Sequence, residues 1–302
     1  MSKKTILVTG CSAGGIGAAI AGALAAPPHE HHVFATAREP SKIPASLSSL
    51  PNVTVLPLDV CSPASISDAV KLVTESDHPT LDVLVNNAGA GYAAPILDID
   101  VERAQRLYDV NVWGPVRAIQ AFAGLLIASR GRVVNISSCG AVVNCPWIGA
   151  YSSSKSALTT LSETLRLELA PLGVSVATIM VETIASHFHD NDEFSLPPES
   201  RYVSIESTIA GWASGELTPK GMSADAFAAS IVGDIVGTTA KAGGLVWKGV
   251  NAGSVKVLGH FAPQSIMDAA MSYGQGLKEL KAHDDQKKKR IGRLHVRGDG
   301  GS

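Results

Sequence analysis

Six short runs of β-branched and apolar residues recur along the chain: Ile6-Leu7-Val8, Val33-Phe34-Ala35, Val53-Thr54-Val55-Leu56, Leu81-Asp82-Val83-Leu84-Val85, Arg132-Val133-Val134-Asn135-Ile136 and Val174-Ser175-Val176-Ala177. Stretches of helical character separate them, at 15–26, 64–75, 99–129, 150–170 and 223–238. Strands that alternate with helices and are apolar on both sides fit a parallel sheet covered on both faces, so the spacing predicts a doubly wound α/β domain. Ser62-Pro63 supplies an N-cap and first-turn pair for the second helix, and 99–129 is expected to break into two near Val110. The chain has 302 residues, 45% of them hydrophobic and 17% charged, enough to bury one large core.

One segment breaks the rhythm. Residues 183–222 carry His187, His189, Pro197, Pro198, Gly211, Gly215 and Pro219, have weak periodicity, and are too long for a routine connection. They read as a substrate loop or lid. A last strand is expected near Leu245-Val246-Trp247, then an apolar extension over 256–282, and then a polar end from His283 that contains Lys287-Lys288-Lys289-Arg290 and reads as a disordered, solvated tail. The organisation expected is one domain over 1–282 followed by that tail at 283–302.

The formal net charge of −2 gives no electrostatic reason to expect nucleic acid or an anionic membrane as partner. Cys11, Cys61, Cys139 and Cys145 form no CxxC pair and no zinc-ligand spacing, which suits a reducing compartment. The N-terminal MSKKTILVTG lacks the apolar stretch of a signal peptide, so a cytoplasmic location is expected. His187 and His189 lie beside Asp190 and Asp192, but no third ligand stands at convincing spacing and no metal is expected.

The first strand runs into Thr9-Gly10-Cys11-Ser12-Ala13-Gly14-Gly15-Ile16-Gly17 and then an Ala-rich helix. Glycines at such a turn let backbone approach a pyrophosphate, whose charge meets the free N–H groups of the helix N-terminus. At the end of the second strand, where an acid would bind a ribose 2′-hydroxyl, the chain reads Ala35-Thr36-Ala37-Arg38. Ala37 leaves room for a 2′-phosphate and Arg38 offers a forked cation, which favours NADP(H) over NAD(H).

With these features the sequence resembles the short-chain dehydrogenase/reductase family, over most of residues 5–181. The resemblance rests on an ordered set: the turn at 9–17, Asp59, Asn86-Asn87-Ala88-Gly89, Asn111, Asn135-Ile136-Ser137-Ser138 and Tyr151-Ser152-Ser153-Ser154-Lys155. The run at 34–38 looks like that of fungal NADPH-using acyl-dihydroxyacetone-phosphate reductases and of the steroid and retinol dehydrogenase branch. The resemblance implies a Rossmann fold in which Gly10, Ser12, Gly15, Ile16 and Gly17 line the pyrophosphate turn, Arg38 meets the 2′-phosphate, and Asp59 and Val60 contact the adenine. It further implies that Asn87 supports the sheet beside the cofactor. Ser138, Tyr151, Lys155 and Asn111 would form the catalytic tetrad, with Tyr151 and Lys155 also touching the cofactor. Ser138 is preferred because the family's serine lies thirteen positions before its tyrosine; Ser137 is the fallback. A homodimer or homotetramer built on 99–129 and 150–170 is also implied.

Carbonyl reduction needs hydride at carbon and a proton at oxygen, and a phenol of pKa about 10 exchanges slowly at neutral pH. Lys155, one helical turn after Tyr151, is expected to lower it, while Ser138 polarises the carbonyl. Asn111 is expected to hold a relay water. Tyr92, Trp147, Phe188, Phe194 and Trp212 are candidates for an apolar pocket. Two departures from the family pattern stand out. The glycine turn has one extra residue. Where the family has Pro-Gly-x-Val-x-Thr over the nicotinamide, this chain reads Thr178-Ile179-Met180-Val181-Glu182-Thr183, which sets Val181 and Thr183 on the carboxamide and Ile179 in the glycine position. The expected function is NADPH-dependent reduction of a ketone, or the reverse oxidation, on a medium-to-large, mostly apolar small molecule. Ile179 keeps open a non-redox cyclase, isomerase or dehydratase; a dinucleotide-sensing binding protein is the third reading, and the apolar extension leaves contact with a membrane open.

Overall fold

The structure is a computed structural model that describes residues 3–186, 194–237 and 243–298. In chain order the elements are β1 (Thr5–Val8), α1 (Ile16–Ala25), β2 (His32–Ala37), α2 (Ala45–Ser48), β3 (Val53–Pro57), α3 (Pro63–Thr74) and β4 (Val83–Asn86). Then come α4 (Val101–Tyr108), a π-helical turn (Asp109–Trp113), α5 (Gly114–Ala128), β5 (Arg132–Ser138), α6 (Gly149–Leu169) and β6 (Ser175–Val181). The rest comprises β7 (Ile184–Ala185), α7 (Glu206–Ala213), β8 (Met222–Ser223), α8 (Ala224–Val236), β9 (Gly244–Lys248), α9 (Ala252–Phe261), α10 (Gln264–Ser272) and α11 (Leu277–Gly298).

Seven parallel strands form the main sheet in the order β3-β2-β1-β4-β5-β6-β9. Alternation along each strand divides the core in two. Ile6 and Val8 pack with Ile20 and Leu24 of α1 and Phe227 and Ile231 of α8, while Leu7 faces Ile66 of α3 and Phe122 and Leu126 of α5. The order reverses between β1 and β4, and the crevice beyond the strand ends at such a reversal is where doubly wound sheets bind ligands.

The helix starts follow from local chemistry. Ser62 Oγ accepts from Ser65 N with Pro63 in the first turn, and Ser223 Oγ accepts from Ala226 N at the start of α8. The expected break near Val110 is the π turn. The long excursion closes at its base by a small parallel ladder, Ile184 to Met222 and Ala185 to Ser223, and carries α7. His187, Phe188, His189, Asp190 and Asp192 lie outside the described residues.

The polar end corrects an expectation: α11 runs through it as helix. Helix-favouring Leu, Lys and Glu dominate its start, and Lys288 pairs with Asp284 one turn back at 2.6 Å. A helix without an apolar stripe gave no periodic signal in the sequence.

Candidate active site

The glycine turn is held from across the crevice. Asn87 Nδ2 donates to Thr9 O (2.8 Å) and Gly10 O (3.1 Å), and Thr9 Oγ1 accepts from the N–H groups of Asn87 and Ala88, both at 3.0 Å. A Cβ on Gly17 would lie 2.3 Å from both Asn87 Nδ2 and Gly10 O, so no side chain fits there. Ser12 O accepts from Gly15 N just before Ile16 opens α1, and Ala13 N, in the lengthened part of the turn, donates to Lys42 O at 2.9 Å. The extra residue is thus tied to the short 3-10 turn Pro40–Lys42 after β2.

At the end of β2, Ala37 is buried and Arg38 is exposed. The neighbouring Glu39 pairs with Lys42 at 2.8 Å, which holds its carboxyl below the usual range. Asp59 Oδ1 accepts from Cys61 N (2.9 Å) and so shapes its own turn, while Val60 is buried against Gly114. A backbone cradle that only glycine permits fits the pyrophosphate of a nicotinamide dinucleotide.

Beyond β5, Ser138 Oγ accepts from Gly140 N at 3.0 Å and hydrogen-bonds the Tyr151 phenol. Ser137, on the opposite side of the strand, bonds Thr159 Oγ1 (2.7 Å) and Lys155 O (3.2 Å). The fold therefore brings Ser138, and not Ser137, to Tyr151. Asn111 sits on the π turn, fully buried. Its Nδ2 donates to Ala90 O and Ser154 Oγ, both at 3.0 Å, and its Oδ1 accepts from Ala90 N at 2.9 Å. Gly89 lets two of these groups converge: a Cβ there would stand 3.2 Å from Asn111 Oδ1 and 3.5 Å from Lys155 Nζ.

The electrostatics differ from expectation. Lys155 Nζ donates to Ile136 O at 2.9 Å and lies 5.9 Å from the centre of the Tyr151 ring. Burial brings the ammonium down from 10.5 to about 8. Burial raises the Tyr151 phenol, and what pulls against it is the Ser138 hydrogen bond, not the lysine. In this arrangement the Lys155 ammonium is held by a backbone carbonyl of β5, one ring-width from the phenol.

The reading of strand six also needs correction. Thr178, Ile179 and Met180 are fully buried inside β6, paired with Asn135, Ile136 and Ser137 on one side and with Leu245, Val246 and Trp247 on the other. Ile179 is a core residue inside the sheet. A continuous apolar run has no internal mark of where the strand ends, and β6 runs three residues past the Thr178 position at which the sequence pattern begins. Laid from the observed end of β6, it puts Val181 and Glu182 at the Pro-Gly positions and Ile184 and Ser186 at those of Val and Thr. Thr183 Oγ1 donates to Glu182 Oε1 (3.1 Å), and Glu182 Oε2 accepts from Asn251 N (3.5 Å) before α9.

Of the aromatic candidates, Tyr92 packs in a cluster with Ala150 and Tyr151, whereas Trp147, Phe194 and Trp212 join Tyr202, Ile205 and Leu277 in a second cluster between the excursion and α11. Sequence reasoning missed Thr9, Gly89 and Ser154. Each had a signal: Thr9 precedes the first glycine, Gly89 ends the Asn-Asn-Ala-Gly run, and Ser154 follows Tyr151 by three on one helix.

The model of the short chain dehydrogenase family matches residues 4–193. A short-chain dehydrogenase of Penicillium ochrochloron is 45% identical over 251 residues, 82% of this chain and 89% of the relative. An NADPH-dependent 1-acyldihydroxyacetone phosphate reductase of Schizosaccharomyces pombe is 35% identical over 213 residues, 69% and 71% of the two chains. The crystal structure of a short-chain dehydrogenase from Streptomyces avermitilis superposes with a TM-score of 0.73 at 25% identity, covering 99% of this chain and 98% of the other. A Burkholderia cenocepacia short chain dehydrogenase solved with NADP shares the fold, with a TM-score of 0.69 at 22% identity and coverage of 89% and 98%. The glycine cradle, the Ser138–Tyr151 pair and these relatives agree: the chain belongs to the short-chain dehydrogenase family of oxidoreductases, which act on alcohol and carbonyl groups.

Proposed function

We propose that this chain reduces a ketone with NADPH, or oxidises the corresponding alcohol, on a medium-to-large and mostly apolar small molecule. The observation that carries the reading is the convergence of Ser138, Tyr151, Lys155 and Asn111 at the crevice beside the glycine cradle. Bound along Gly10, Ser12, Gly15, Ile16 and Gly17 with its 2′-phosphate at Arg38, NADPH would supply the hydride. Asp59 and Val60 flank the adenine in this reading, and Ile184 and Ser186 take the part first given to Val181 and Thr183.

Ser138 accepts a backbone N–H and gives its O–H to the Tyr151 phenol; turned onto a carbonyl oxygen instead, that O–H polarises it. Tyr151 donates to the same oxygen and hands over its proton. A lysine at about 8 exchanges protons with neutral solvent far more readily than one at 10.5, so Lys155 is suited to restore that proton. Asn111 holds the Gly89–Ala90 turn in place beside it. The apolar substrate class rests on Tyr92 beside Tyr151 and on the aromatic cluster around Trp147. We further take the protein to be a cytoplasmic homo-oligomer, with exposed Ile127, Leu161 and Leu167 of α5 and α6 as the faces for a second copy. The non-redox alternative rested on Ile179 and loses its support with that residue inside the sheet.

The test is NADPH absorbance while bulky aliphatic, steroidal and polyketide-like ketones are added. Wild type should oxidise NADPH, and Tyr151→Phe should be slower by about 10²–10⁴-fold. Arg38→Ala should reduce the preference for NADPH over NADH by about ten- to a hundredfold, the worth of a charged hydrogen bond. Tight NADPH binding without turnover of any ketone would overturn the proposal.

A further inference from the structure

Helices α9 and α10 bury almost nothing. In α10 no residue is buried, and in α9 only Ala252 is. Val257, Leu258, Phe261, Ile266 and the following Tyr273 stand in solvent instead, Phe261 at 83% and Tyr273 at 84% of full exposure. Helices of ten and nine residues are too short to persist in water on backbone hydrogen bonds alone, and their stability normally comes from packing an apolar face. Exposed apolar side chains gathered along two successive helices mark a contact.

Charge says what the contact is. Residues 248–302 hold ten of the 25 Lys and Arg but only five of the 27 Asp and Glu, so this end carries +5 while residues 1–247 carry −7. The net charge of −2 conceals that separation. Lys256 lies exposed on α9 among the apolar side chains, and Lys278, Lys281, Lys287 and Lys288 lie exposed on α11, where every residue from 281 to 289 is solvent-facing. A second copy meeting this face would set +5 against +5, which disfavours self-association through it.

We propose that the α9–α10 face and the basic helix after it dock on an anionic bilayer surface. Apolar side chains flanked by lysines are the make-up of segments that lie in a membrane interface and are drawn to anionic lipid. The contact is peripheral. By length and composition the stretch 101–128 is the one described helix suited to spanning a bilayer, and it buries Ala118, Phe122 and Leu126 in the core and carries Asn111. The docking face adjoins the catalytic wall: Ala252 and Val255 of α9 pack with Cys139 and Met180, Gly259 lies beside Val142 in the turn that follows Ser138, and Glu182 just after β6 accepts from Asn251 N at the start of α9. An apolar substrate dissolved in lipid would therefore reach the site from the docked side. The binding itself does not depend on the proposed activity.

The experiment is flotation of the full chain with vesicles of phosphatidylcholine alone and of phosphatidylcholine with phosphatidylserine. The expected result is binding to the anionic vesicles only, release by added salt, and at least about a tenfold loss of binding in Phe261→Ser/Ile266→Ser. Lys256→Glu/Lys287→Glu should lose binding as well. Both double variants should keep the wild-type far-UV spectrum and NADPH affinity, because no side chain they change is buried or in the cofactor site. A protein that stays in solution with anionic vesicles, or binds neutral ones equally well, overturns the proposal. So does a dimer in sedimentation that Phe261→Ser/Ile266→Ser takes apart, which would make the face a self-interface.

Discussion

Two helical regions flank the strand end that carries Ser138, and they are held in opposite ways. Helix α6 buries Ala150, Ser154, Lys155, Leu158 and Ser162, and its polar side chains are tied into the sheet: Asn135 Nδ2 donates to Ser162 Oγ at 2.8 Å, and Ser137 and Thr159 share a 2.7 Å bond. Helices α9 and α10 bury one residue between them. The difference follows from what each does. Hydride and proton transfer lose orders of magnitude when reacting groups drift by an ångström, so the helix bearing Tyr151 and Lys155 is fixed from several sides. A face that meets an external partner has to leave its apolar groups uncovered.

The sharpest way to break this contrast is at the start of α6. Trp147, four residues before Tyr151, is buried at a φ of +69°, a conformation that bulky residues rarely adopt. Its carbonyl accepts from Ala94 N (2.7 Å), its indole Nε1 donates to Gln275 O (3.2 Å), and its ring stands edge-on to Tyr202, 5.5 Å away. The excursion and the C-terminal segment thus hold the turn that launches the catalytic helix. Trp147→Ala should cost about 3–5 kcal/mol of stability by lost packing, since alanine inherits the same backbone strain. Turnover should fall with NADPH affinity unchanged, because the residue touches α6 and not the glycine turn. An unfolding midpoint within error of wild type would show that the turn holds itself.

Lys155 tests the same rigidity from the electrostatic side. Its folded pKa of about 8 lies below the unfolded 10.5, so the unfolded chain binds more protons between those values. Stability from this group therefore rises with pH across that window, and its full cost is present below pH 8. Lys155→Met should stabilise the protein at pH 7 by about 2 kcal/mol. That is less than the roughly 3 kcal/mol the shift alone implies, because the bond to Ile136 O is lost. The gain should vanish between about pH 9 and pH 10, where the falling cost of the charge meets the lost bond, while turnover is lost at every pH. Denaturant midpoints of both proteins at pH 7 and pH 10 read this directly; a difference that does not change with pH would sink the account.

The strands were legible because buried parallel strands read as unbroken β-branched runs, and the cofactor turn because glycine spacing there is fixed by contacts such as that of Gly17 with Asn87. The same continuity hid the end of β6 and misplaced Ile179. The pairing of Trp147 with Gln275 spans 128 residues and has no local signature. The phenol's raised pKa was equally out of reach, since it depends on how deeply the fold buries Tyr151. The C-terminal segment showed only as an apolar stretch. Its division into α9 and α10 at Pro263, and the exposure of most of both helices, depend on packing that composition does not encode.

The smallest expected effect sharpens the contrast most. Phe261→Ser removes an aromatic ring, as Trp147→Ala does, yet Phe261 is 83% exposed and Trp147 only 6%. Burial and not ring size sets the cost of such a change, so Phe261→Ser should alter stability by less than about 0.5 kcal/mol in the absence of lipid. Its unfolding midpoint in denaturant should overlay wild type while that of Trp147→Ala shifts far to lower concentration. A Phe261→Ser protein destabilised by 2 kcal/mol or more, a loss on the scale of burying a large apolar side chain, would mean that α9 is packed in solution. The two helical regions would then be held alike, and the face would have no unmet contact to offer a membrane.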